Sequence, residues 1–99
     1  MIWKEAALVL RAAGLEAQER SFGLEGSAPS PAGPLHYQLG KASAGGCEMS
    51  VRSPAGPPVR WFQQPSVAAL TARLIEAQGL VNRGAAPSLL EALLQLDPR

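Results

Sequence analysis

The pentapeptide Ser-Pro-Ala-Gly-Pro occurs twice, at Ser30–Pro34 and again at Ser53–Pro57. Proline supplies no N–H and glycine punctuates regular structure, so each copy reads as a turn. A short β-prone run follows each one: Leu35-His36-Tyr37-Gln38-Leu39 after the first, Val59-Arg60-Trp61-Phe62 after the second. The spacing between the copies leaves room for one β-hairpin. The middle of the chain therefore reads as an antiparallel meander entered at two turns.

Alternation fills in that hairpin. Leu35, Tyr37 and Leu39 share one parity, His36, Gln38 and Gly40 the other. Cys47, Met49 and Val51 alternate in the same way with Glu48, Ser50 and Arg52, across a small Gly-ended loop at 42–46. Pairing Leu39 with Met49 sets Tyr37 opposite Val51 and Lys41 opposite Cys47. Every apolar position then lies on one face, as a one-sided sheet requires. Across the second turn, the preferred register sets Val51 opposite Trp61 and keeps Trp61 on the core face. A slip of one residue would bury Phe62 and expose Trp61 instead.

Helices are expected on either side. Trp3, Ala7, Leu10 and Ala13 fall at helical spacing within a segment from Ile2 to about Gln18, with Ile2, Ala6 and Val9 beside them. Gly14 is a point at which this helix could end early. Glu19 to Glu25 alternates as a short edge strand. Pro65 opens a second helix with an inner stripe of Val67, Leu70, Leu74 and Ala77, and Gly79-Leu80 reads as its C-terminus. Pro87 opens a third helix to about Leu96. The fold class is α+β: an N-terminal helix, a three- to four-stranded antiparallel meander, and two C-terminal helices packed on one face of the sheet. Its expected core holds Trp3, Leu10, Phe22, Leu35, Tyr37, Leu39, Met49, Val51, Trp61, Leu70, Leu74 and leucines of the last helix.

A chain of 99 residues suits one domain over 1–99. Charged residues are 17%, below the usual quarter, and the deficit is filled by Ala, Gly, Pro and Leu. Nine Lys plus Arg against eight Asp plus Glu leave a net charge of +1, which gives no global attraction to nucleic acid or anionic membrane. The single cysteine excludes an internal disulfide, and one cysteine with one histidine cannot form a structural zinc site alone. Lys4, Glu5 and Arg11 interrupt any leader-like apolar run, and no stretch approaches the roughly 20 apolar residues of a membrane span. A cytoplasmic location without membrane attachment is expected.

Two surfaces stand out. On the solvent face of the sheet, the preferred register gathers His36, Arg52, Arg60 and Phe62, a set suited to an anion or a nucleic-acid base. The last helix carries Leu89, Leu90, Leu93, Leu94 and Leu96, more leucine than one buried stripe needs, so it is either core or half of an interface. Catalytic sets are missing. Cys47 and His36 fall on opposite faces, the sole aspartate is Asp97, and no phosphate-cradling glycine loop is present. The segment Trp61–Leu74 resembles the late segment of acyl and peptidyl carrier proteins, with its aromatic, Pro-Ser pair and Ala-Ala-Leu helix. That family's attachment serine follows a Gly-Gly pair after one residue. Here Gly45-Gly46 leads into Cys47-Glu48, so no site is carried over. The expected function is a small non-enzymatic protein-interaction module of bacterial or phage type, needing no cofactor, that binds itself or a protein partner through Leu89, Leu90, Leu93 and Leu94. The alternative is nucleic-acid or anion binding through His36, Arg52, Arg60 and Phe62.

Overall fold

The computed structural model describes residues 1–31, 33–53 and 56–96, and no side chain from 53 to 60. The element order is α1 (Trp3–Ala12), β1 (Glu16–Arg20), β2 (Gly23–Ala28), β3 (Leu35–Lys41), β4 (Cys47–Ser53), β5 (Gly56–Gln64), α2 (Val67–Asn82) and α3 (Leu89–Leu96). The strands form one antiparallel meander in the order β1-β2-β3-β4-β5. This is the expected α+β arrangement, with five strands where the alternation predicts three or four.

The extra strand comes from the first hairpin. In place of a helix to about Gln18 and one edge strand over Glu19–Glu25, Glu16–Arg20 is β1 and pairs with β2 from Glu16 opposite Ser27 to Arg20 opposite Gly23. Gly14 separates it from α1 by adopting φ 91°, a conformation that costs glycine little and ends the helix there. At the other end of α1 the Glu5 carboxylate accepts the Ile2 N–H at 3.2 Å and satisfies an orphan donor.

The central hairpin has the expected pairing: Leu39 opposite Met49, Tyr37 opposite Val51, Lys41 opposite Cys47. The β4–β5 pairing does not follow the preferred register. Met49 faces Phe62, Ser50 faces Trp61 and Val51 faces Arg60. The shift lies between Val51 and Ser53, opposite the Pro57-Pro58 pair. Neither proline can donate to a ladder, so regular pairing is interrupted there and resumes one residue out of the expected phase. Phe62 is consequently half-buried against the core and Trp61 is 62% exposed. Phe22, also expected inside, sits in the β1–β2 turn and is 46% exposed.

One face of the sheet carries the helices. α1 packs on β1 and β2, α2 on β4 and β5, and α3 packs against α2. The core between them holds Leu10, Leu24, Leu35, Tyr37, Leu39, Met49, Val51, Leu70, Leu74, Leu89 and Leu93. α2 begins after Pro65, at Val67, because the Ser66 side-chain oxygen accepts the Ala69 N–H at 3.1 Å as an N-cap. It also runs through Gly79, where an end was expected, and buries Val81 before stopping at Asn82. Ser88 likewise accepts the Glu91 N–H at 3.3 Å, and α3 begins at Leu89. Among the described residues no helix is long and apolar enough to cross a membrane.

Candidate functional site

Among the described residues no helix covers the opposite face of the sheet. Strand alternation places Gln18, Glu25, Gln38, Ser50 and Trp61 in one row across all five strands. A second row runs Glu16, Ser27, His36, Arg52. A third runs Arg20, Gly23, Gly40, Glu48, Gln63. Every side chain in these rows is polar except Trp61, whose indole is the one large apolar group there.

Between β1 and β4 the face is concave. A trough of about 240 Å³ is lined by Gln18, Arg20, Glu25, His36, Ser50 and Arg52, among others. Its β1–β2 wall is internally paired. The Arg20 Nε donates to the Glu25 Oε1 at 2.5 Å, and its Nη2 donates to the Gln18 Oε1 at 2.6 Å. On the other wall His36 and Arg52 stand directly opposite each other on β3 and β4. Both are exposed, and neither has a hydrogen-bond or ion-pair partner among the described residues.

The structure thus brings together two of the four residues expected to form a basic cluster. His36 and Arg52 are neighbours. Phe62 lies on the core side opposite Met49, and Arg60 falls at the register position opposite Val51, with its side chain outside the described residues. Trp61 takes the place on this face that Phe62 was expected to hold. The signal that could have found it is the Pro57-Pro58 pair.

The leucines of α3 divide. Leu89 and Leu93 are wholly buried, so they have no surface left for a partner. Leu90 is half-buried against the core, and Leu94 keeps partial exposure. α1 instead shows the apolar surface. Ile2 is 61% and Leu8 58% exposed, though Lys4, Glu5 and Arg11 interrupt them. Cys47 is buried on the core face, and that burial pushes its thiol above the ordinary cysteine value, against the opposing pull of Lys41. A neutral buried thiol is a packing group and a poor nucleophile. Among the described residues no group of three His, Cys, Asp or Glu side chains could hold a metal ion.

No protein-family model matches the chain, and neither any curated protein nor any solved structure does so.

Proposed function

We propose that the protein is a non-enzymatic interaction module and that it takes a protein partner on the uncovered face of its sheet. The observation that carries this reading is the exposure of Trp61 at the end of a polar row. A solvent-exposed indole bordered by polar groups on its β4 side has the composition of an interface anchor, since tryptophan dominates binding energy where neighbours exclude water around it. The leucine helix gives less support to an interface, because two of its four candidate residues are spent on the core.

Nucleic acid is the weaker alternative. Among the described side chains of this face the carboxylates of Glu16, Glu25 and Glu48 outnumber the guanidiniums of Arg20 and Arg52, and Arg20 is already paired with Glu25. A single free guanidinium can hold one carboxylate, but it gives no run of cations for a phosphate backbone, whose binding rests on clustered cations.

Affinity capture from the native host with wild-type, Trp61→Ala and Leu8→Ser proteins tests the reading. A protein retained by wild type and by Leu8→Ser, and lost with Trp61→Ala, supports the sheet face. Capture indifferent to Trp61 but lost with Leu8→Ser would move the interface to α1. Sedimentation over a range of concentrations shows whether the partner is a second copy.

A further inference from the structure

We infer that the partner segment is acidic, and that it places a carboxylate on Arg52 and His36 within the trough beside Trp61. This rests on the reading of the sheet face as a partner surface. It goes further by assigning the chemistry of what lies there.

The argument is one of unspent charge. Besides Tyr37, whose hydroxyl is bonded to the Glu16 carbonyl, five ionisable side chains line the trough: Arg20, Glu25, His36 and Arg52, with Glu16 at the β1 border. Arg20 and Glu25 are paired with each other, and Gln18 completes that set. Their charges cancel locally, and all three nitrogens of the Arg20 guanidinium are engaged. Glu16 meets the hydroxyl of Ser27 at 3.5 Å on the opposite border. Two strands lie between β1 and β4, so the backbones bearing Glu16 and Arg52 stand roughly 14 Å apart at the ordinary strand spacing. The Arg52 guanidinium therefore meets no compensating carboxylate among the described residues.

His36 sits directly opposite Arg52, at a cross-strand Cβ separation of roughly 5 Å. Two nitrogen-bearing side chains therefore face the same space, and no carboxylate among the described residues meets either. A carboxylate bridging the two supplies that acceptor and satisfies the planar guanidinium fork. Gln38 and Ser50, next along the neighbouring row, offer an amide and a hydroxyl to the main chain of the same segment. Trp61 follows Ser50 in that row and provides a flat apolar surface for a neighbouring side chain. A segment lying across the strands from β3 to β5 would thus meet an anion site, polar groups and an apolar platform in sequence.

The experiment is selection of short random peptides displayed on phage against wild type, Arg52→Glu and Trp61→Ala, followed by affinity measurement with the enriched peptides. Wild type should enrich Asp and Glu beside an apolar residue. Arg52→Glu should weaken those peptides by about tenfold, the scale of one charge-assisted hydrogen bond, and should itself select Lys or Arg. His36→Gln should weaken them by a smaller factor. Both substitutions fall on exposed side chains, and circular dichroism checks that each variant keeps its fold. Enriched peptides that need Trp61 but carry no acidic bias overturn this inference and leave the sheet face as a partner surface. Peptides indifferent to Trp61 and Arg52, or no enrichment at all, overturn both. A labelled single-stranded oligonucleotide that binds at low salt more tightly than the acidic peptides would replace them with a nucleic acid as occupant.

Discussion

The Tyr37 hydroxyl donates a 2.6 Å hydrogen bond to the main-chain carbonyl of Glu16, reaching from the third strand of the sheet to the first. It crosses beneath the second strand at Gly26, the register partner of both Tyr37 and Ala17. From the helix side the Arg11 Nε donates to the Ala17 carbonyl at 2.9 Å. Two side chains thus pin the main chain of an edge strand that buries only Ala17 by itself. Tyr37→Phe leaves the Glu16 carbonyl without that donor and should cost about 1–2 kcal/mol in urea unfolding.

The same phenol makes stability depend on alkaline pH. Burial first, and then the nearby Glu16 carboxylate, hold its pKa above the ordinary value, with Arg11 opposing. The folded protein therefore keeps its proton after the unfolded chain has released it. Unfolded chains bind fewer protons in that window, so stability falls as pH rises beyond about 10. Tyr37 is the only tyrosine in the chain, so Tyr37→Phe should remove this phenol's share of the decline. Equal slopes of urea midpoint against pH in wild type and variant would contradict it.

Gly26 is required by the crossing. A Cβ there would stand 1.8 Å from the Glu16 oxygen and 2.8 Å from the Tyr37 hydroxyl. The nearer atom belongs to the main chain and cannot swing aside. Gly26→Ala should therefore cost about 3 kcal/mol, the upper range for overpacking, and should release β1 from the sheet. Amide exchange in Glu16–Arg20 should accelerate more than in β3 and β4; uniform acceleration would argue against local release.

The parts of this architecture that the sequence disclosed are those with long alternation. Leu35–Lys41 and Cys47–Arg52 set their own faces, and with them the neighbourhood of His36 and Arg52. β1 was hidden because a strand that buries one alanine has almost no alternation to show. Its Glu-Ala-Gln-Glu-Arg sequence is also made of good helix formers. Trp61 was hidden for another reason. Adjacent Trp61 and Phe62 can each fill an inward position, so parity does not choose between them. The choice was made by the two prolines upstream, through the register shift they sit beside. The last helix was ambiguous because its leucines outnumber one stripe, and burial divides them only after α2 is in place.

That division has a measurable consequence. Leu93 is fully buried, so Leu93→Ala should cost about 2–5 kcal/mol through lost transfer energy and the cavity left behind. Leu94 retains exposure, and Leu94→Ala should cost about 1 kcal/mol or less. Thermal unfolding of the two variants side by side checks the contrast. Comparable losses would mean that Leu94 is also held inside a contact, such as one with a second copy.

Gln78 offers the opposite effect. It is buried in α2, where its Nε2 donates to the Asn82 Oδ1 at 3.1 Å, while its Oε1 meets no donor among the described residues. An unpaired buried acceptor carries a desolvation penalty that an apolar side chain of similar length avoids. Gln78→Met should therefore raise stability by about 1 kcal/mol in urea unfolding. A loss of stability would show that the amide oxygen has a partner, an internal water being the simplest.

The exposure of Trp61 can be read directly from fluorescence. The chain has two tryptophans, and Trp3 is partly buried against the core while Trp61 is 62% exposed. Acrylamide should quench two populations in wild type, and the readily quenched one should vanish in Trp61→Phe. Because Trp61 does not pack into the core, the same substitution should change stability by less than about 0.5 kcal/mol. In the alternative register Trp61 would be inside and Phe62 outside. Its replacement would then be destabilising and would remove the protected emitter. The two registers thus predict opposite changes in quenching and different changes in stability, and Phe62→Ala provides the reciprocal measurement. With Phe62 half-buried against the core opposite Met49, that variant should lose about 2–3 kcal/mol while leaving the Trp61 signal in place.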